Sequence, residues 1–232
     1  SIQTNAIIKK KGLYIEGDYS KYDKEKETIE FEKNVLFVDR TKNITVETEN
    51  AKYNQKLDIL QTIGITNIKI ENKYEIISSN MFYNRGSKKI YSKKETTIKD
   101  IDGNIYNLES SFQLDLVKEE ISTKKTNIID TDNNIYIFEN AKINLVSKEI
   151  LGKELKIDFV DNYFGIPNNN PILKGRSAIS NSEETKIYKT VFSTCNTTSK
   201  SCPGWEIETE EFTHDKVNKV FNYKNSWLKL FD

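Results

Sequence analysis

The chain has 232 residues, room for one domain or two small ones, and its 35 Lys+Arg balance its 35 Asp+Glu. Zero net charge argues against general nucleic-acid binding, which draws on a basic excess. Hydrophobic residues at 36% and aromatics at 11% argue against disorder. Nine Gly and three Pro exclude collagen-like and Gly- or Pro-rich classes, and the single His, at position 214, excludes most His-based catalytic and zinc sites.

The longest purely apolar runs are four residues, Val35–Val38 and Ile135–Phe138, so no segment can cross a bilayer as a helix. No charged-then-apolar leader opens the chain, which starts at Ser1 as a mature or excised piece would. Abundant Lys, Asn and Ile read as a base-composition bias without functional content.

Taken in chain order, the pattern is β throughout. Short stretches rich in Ile, Val, Tyr, Phe and Thr alternate with polar residues, as at Thr45–Thr48, Ile68–Ile70 and Tyr188–Phe192. Turn signals stand at Asp102-Gly103-Asn104 and Asp132-Asn133-Asn134. These two turns open matching octets, 102–109 and 132–139, at a spacing of 30 residues. The same spacing links Glu49–Tyr53, Ser79–Tyr83, Glu109–Gln113 and Glu139–Ile143, and also Thr97–Asp100 with Asn127–Asp130. An earlier copy ends near Tyr19–Tyr22. A fixed period of this length signals stacked supersecondary units sharing one elongated core. At about 3.3 Å per residue, each unit is expected to hold roughly three short strands with turns. The repeat fades after Ile157, and Ile166–Pro171 reads as a loop. Residues 172–232 read as further strands, with turns at Asn181-Ser182 and around Cys195–Gly204; they are expected to end the same stack, the alternative being a separate domain with a marginal core.

Catalytic constellations are absent. There is no Gly-x-Ser-x-Gly elbow, no Gly-rich phosphate loop, and His214-Asp215 beside a turn reads as a surface pair. Glu183-Glu184 and Glu210-Glu211 fall on opposite strand faces as solvated charges. Cys195 and Cys202, with six residues between them, lack the further ligands that zinc needs; they are either free buried thiols or a disulfide. The expectation is no enzyme, no metal and no cofactor. In the repeat, Val46, Ile76, Tyr106 and Tyr136 share one strand face, and so do Thr48, Ser78, Leu108 and Phe138. Such faces either fill a closed core or line an apolar trough between two splayed sheets.

The last sixty residues carry a resemblance. Asn170-Pro171-x-Leu173-x-Gly175, Val191-Phe192-Ser193-Thr194-Cys195, Cys202-Pro203-Gly204-Trp205, His214-Asp215-Lys216 and Tyr223-x-Asn225-x-Trp227-Leu228 resemble the segment just before the barrel of the LptD (OstA, organic solvent tolerance) family of lipopolysaccharide-assembly proteins. Residues 15–160 resemble, more loosely, the OstA-type repeats that this family shares with LptA and LptC. The sequence departs at Gly204, where Cys-Pro-Pro-Trp is common, and it stops at Asp232, before the family's membrane barrel.

The resemblance implies an all-β fold, a β-taco or β-jelly-roll of stacked antiparallel strands in two sheets with an apolar groove. Residues 1–160 would form the repeat β-taco and 161–232 its continuation toward the barrel. It implies a lipid-transport domain on the periplasmic side of the outer membrane, taking lipopolysaccharide acyl chains in the groove. Val46, Ile76, Tyr106, Leu108, Tyr136 and Phe138 are the expected lining. The implied partners are LptA by edge-strand pairing, LptE, and the barrel of the same protein. Cys195 and Cys202 would form disulfides, into the barrel in an intact protein and with each other in this chain alone. An LptA-like bridge, or a structural solenoid that binds no lipid, are the alternative readings.

Overall fold

The computed structural model describes residues 2–10, 12–71, 73–160, 171–194 and 205–230. These residues are all-β, with no helix among them, and their paired strands run antiparallel. The chain divides into two compact units, Ser1–Lys118 and Glu119–Asp232.

In the first unit, β1 (Ile2–Lys10), β2 (Leu13–Asp23), β3 (Thr28–Asp39), β4 (Ile44–Asn54) and β5 (Ile59–Ile70) are long strands joined by tight turns. Each of β2 to β5 pairs with its sequence neighbour, and the register shifts near mid-strand: between Glu16 and Tyr19, between Glu32 and Val35, and between Thr48 and Asn50. At these points the burial alternation breaks. Around the shift in β3, buried Phe31 is followed by buried Val35 and Phe37, with exposed Glu32, Lys33 and Asn34 between them. Lys33 and Asn34 have φ of 61° and 50°, and Gly64 of β5 has φ 88°. A left-handed residue inside an extended strand turns it through a corner, as a bulge does.

Each long strand therefore serves two half-sheets. Beyond β5 the halves become separate strands. Ile65–Ile70 pairs with β6 (Tyr74–Ser79), whereas Ile59–Gln61 pairs with β7 (Phe82–Asn84). One half-sheet continues through β9 (Thr96–Asp100) and β10 (Ile105–Leu108), the other through β8 (Lys89–Ser92) and β11 (Phe112–Asp115).

The second unit starts divided. β12 (Glu120–Thr123) pairs with β15 (Asn140–Asn144), and β13 (Thr126–Ile129) pairs with β14 (Ile135–Phe138). Both branches meet again on β16 (Ile150–Asp158), whose two ends pair with β15 and β14. Long bent strands follow: β17 (Pro171–Ser180), β18 (Glu184–Thr194), β19 (Trp205–Asp215) and β20 (Val220–Leu230).

This architecture explains the 30-residue period and corrects one expectation. A period holds two bent strands, or four short ones once the halves separate, rather than three. The repeated segments at 49–53, 79–83 and 139–143 start at the corners. The Asp-x-Asp-x-Asn-x-Tyr segments form the turns at one end. In both copies the first carboxylate receives the same three hydrogen bonds. Asp100 accepts from the Asn104 backbone N (2.9 Å), Asn104 Nδ2 (3.0 Å) and the Tyr106 hydroxyl (3.0 Å). Asp130 accepts from the Asn134 backbone N (2.8 Å), Asn134 Nδ2 (3.0 Å) and the Tyr136 hydroxyl (3.1 Å).

Candidate functional site

The space between the two half-sheets is the interior of each unit. Leu13, Ile15, Phe37, Ile44, Val46, Ile68, Ile76, Ile98 and Leu108 face it from one half of the first unit. Phe31, Ala51, Tyr53, Leu60, Met81, Tyr83, Ile90 and Leu114 face it from the other. Facing rings touch: Phe37 meets Tyr83 at 5.8 Å and Tyr53 at 6.5 Å, both edge-on. Edge-on packing suits the ring quadrupoles and adds to the apolar burial.

The structure places Val46, Ile76, Tyr106 and Leu108 on the inner face of the first unit, and Tyr136 and Phe138 on that of the second. None of the six exceeds 4% exposure, so side chains fill the interior where an open trough was one expectation. Cys195 and Cys202, with Cys202-Pro203-Gly204 and residues 166–170 of the expected loop, lie outside the described residues.

The corner between the halves is lined with hydroxyls. Thr66 Oγ1 bonds Thr62 Oγ1 (2.7 Å) and Thr48 Oγ1 (3.2 Å), and Thr48 Oγ1 donates to the Ile65 carbonyl (3.0 Å). Ser78 donates to the Glu95 carbonyl and Ser92 to the Ser79 carbonyl, each at 3.0 Å. These side chains satisfy backbone groups that the bend removes from the ladder.

The opposite, turn-bearing ends carry a polar cluster that sequence reasoning missed. Asp39, at the end of β3, accepts from Arg85 Nε (2.8 Å), the Tyr83 hydroxyl (2.8 Å) and the Thr41 hydroxyl (2.6 Å). Arg85 Nη1 also bonds both oxygens of Asp58 at 3.0 Å, and the Tyr53 hydroxyl donates to Asp58 at 2.6 Å. Side-chain exposure is 2% for Asp39 and 14% for Arg85. Burial alone would raise the Asp39 pKa, but the Arg85, Thr41 and Tyr83 hydrogen bonds hold it below the usual carboxylate range. Burial, with the neighbouring carboxylates, pushes the Tyr53 and Tyr83 phenols upward, so both are donors at neutral pH. The one available signal was an Asp closing an apolar run, together with an Arg where the chain otherwise favours Lys.

In the second unit the equivalent ends close on aromatics. Phe159 meets His214 and Phe221, each at 5.4 Å, and Phe212 meets Phe221 at 4.8 Å. His214 is buried at 1% exposure, which overturns its reading as a surface residue. Burial, then the nearby Lys216 charge, lowers its pKa to about 4, so it is a neutral ring. Lys216 lies 5.3 Å above the Tyr136 ring and donates to the Asn181 carbonyl (2.7 Å) and Ser180 hydroxyl (3.0 Å). Burial lowers its pKa to about 8. No cluster of three or more His, Cys, Asp or Glu able to hold a metal exists among the described residues.

Residues 8–115 match a family model, LptC: lipopolysaccharide-assembly, LptC-related. The chain's first half is therefore similar to that family. The matched span covers β2 to β11, which hold the bent strands, the hydroxyl corner and the Asp39–Arg85 cluster. No curated protein matches the chain.

Proposed function

We propose that the chain is a non-enzymatic carrier domain of the lipopolysaccharide-assembly machinery in the periplasm, with its interior as the acyl-chain site. One observation carries the reading. The part similar to the LptC-related family is a folded-over antiparallel sheet whose inner face is apolar along its length. A lined interior of this kind gives about 0.8 kcal/mol for each buried CH₂. That attraction is spread along the interior, so it holds an acylated lipid and still lets it slide. The interior is filled in this structure, so acyl chains would enter as the half-sheets part. Val46, Ile76, Tyr106, Leu108, Tyr136 and Phe138 would then line the chains.

The sheet ends support a chain of such carriers. β1 pairs only with β2, and β20 only with β19, among the described residues. β20 exposes Trp227, Leu228 and Leu230 along an unpaired edge. An open edge accepts a strand from another protein. LptA pairing at one edge is the partner proposed.

The segment 170–228 favours an LptD-type domain, on the outer-membrane side, whose further partners would be LptE and a barrel. Cys195 and Cys202 would then be its disulfide residues, since the periplasm is oxidising. The LptC-related match over residues 8–115 favours instead a bridge component. A photo-crosslinking residue at Val46, Ile76 or Leu108 should capture lipopolysaccharide in cells carrying the machinery. Capture only from outward positions such as Glu47, Ile77 or Asn107 would overturn the interior as the site. Non-reducing gels with Cys195 and Cys202 replaced in turn separate the two types. A mobility shift in the intact protein supports the LptD type, and no shift supports the bridge.

A further inference from the structure

The ion cluster Asp39–Arg85–Asp58 lies where the two half-sheets of the first unit meet at their turn ends. Asp39 belongs to the half-sheet of Val35–Asp39. Tyr83, Arg85, Asp58 and Tyr53 belong to the other half and its turns. The bonds from Tyr83 and Arg85 to Asp39 therefore join the two halves across the interior, far from the corner that joins them covalently. About five residues of strand separate corner from cluster, roughly 16 Å at 3.3 Å per residue.

At the corner the ladder is already interrupted, and hydroxyls of Thr48, Thr62, Thr66, Ser78 and Ser92 supply the hydrogen bonds. A hydroxyl rotates to suit its partners, so a change of corner angle re-pairs these groups without stranding them. The apolar contacts of Phe37 with Tyr53 and Tyr83 hold the halves together without directional bonds. Directional, charge-assisted closure comes from Asp39 and Arg85. Arginine suits this place because its planar fork engages Asp39 through Nε and Asp58 through Nη1 in one fixed geometry, which a lysine's rotating ammonium does not offer.

We propose that Arg85 is the latch of the first unit: its bond to Asp39, with Asp58 positioning the guanidinium on its own half, holds the half-sheets shut, and its release opens the interior at the turn-bearing ends. This rests on the carrier reading only for what enters. In that reading, Arg85 is a positioning residue that governs admission of an acylated, anionic lipid.

The test uses the full chain with Cys195→Ser, Cys202→Ser and Val46→Cys, and follows the reaction of the introduced thiol with a maleimide. Val46 is 1% exposed, so reaction requires opening. Asp58→Asn loosens the positioning of Arg85 on its own half and leaves the cross-half acceptor Asp39 in place. Arg85→Met removes the cation at similar length. Labelling is expected to accelerate at least tenfold in Arg85→Met and by a smaller factor in Asp58→Asn. The rates should depend only weakly on urea, because parting two half-sheets exposes far less surface than unfolding. Unchanged labelling in Asp58→Asn and in folded Arg85→Met would overturn the latch. So would acceleration that tracks global unfolding in its urea dependence. Should Arg85→Met fail to fold, Asp58→Asn decides. Capture of purified lipopolysaccharide by a photo-crosslinker at Val46 is a separate arm. Faster labelling without capture in any variant leaves the latch standing and removes the carrier reading.

Discussion

In the first unit, the ends that meet across the interior carry Asp39, Tyr83, Arg85 and Asp58; in the second they carry Phe159, His214, Phe221 and a half-buried Lys216 over Tyr136. The same bent-strand plan is thus closed once by buried ions and once by rings. A buried ion pair adds little net stability over apolar residues of the same shape, yet losing one partner costs several kcal/mol. Aromatic closure lacks that asymmetry: it weakens gradually as contacts are lost. The contrast predicts an abrupt response of the first unit to loss of one ion partner and a graded response of the second to loss of ring contacts.

That contrast is open to measurement. The largest effect is expected from Asp39→Ala, which takes the buried acceptor from Arg85 Nε and from the Tyr83 and Thr41 hydroxyls and should destabilise the first unit by about 3–5 kcal/mol. Urea unfolding followed by hydrogen exchange would show the loss in β3 and β7 first. A loss below ~1 kcal/mol would erase the distinction between the ends.

Acid should act on the second unit next. The unfolded His214 titrates near 6.5 and the folded ring near 4, so the unfolded chain takes up the proton first. The contribution of the neutral ring is intact above pH 6.5 and is lost as pH falls toward 4. That loss is on the order of 3 kcal/mol. Both tryptophans, Trp205 and Trp227, are in this unit, so their fluorescence reports it selectively. His214→Phe should flatten the fall between pH 6.5 and 4; an undiminished fall would place the acid sensitivity elsewhere.

Packing follows. A β-carbon on Gly152 would overlap the Phe138 ring. Gly152→Ala should cost about 1–3 kcal/mol through forced displacement, read by thermal melting of the second unit. At the corner, Thr66→Val removes hydrogen bonds to Thr62 and Thr48 and should cost about 1 kcal/mol. The smallest change is expected for Lys52→Ala, whose 3.0 Å pair with Glu30 is largely exposed, at under ~1 kcal/mol.

Much of this was legible in advance. Alternation placed Val46, Ile76, Tyr106 and Tyr136 on one face, because inward side chains must be apolar on every other residue, and all four are buried. The 30-residue period located the Asp100 and Asp130 turns, because the same three hydrogen bonds require the same residues at the same offsets. The corners were less visible. They break the alternation over only three residues, as at Glu32-Lys33-Asn34, and such a break resembles a loop.

By itself, then, the sequence determined the β class, the period, the inward face and the turn chemistry. All of these are set within some thirty residues by side-chain periodicity and local hydrogen bonding. Tertiary structure alone decided that Asp39 meets Arg85, 46 residues later, and that His214 lies among rings instead of in water. The physical reason is that a corner in each strand folds one half-sheet over the other. Contacts across that fold depend on the corner's angle and on which strands are stacked, and neither leaves a trace in local pattern.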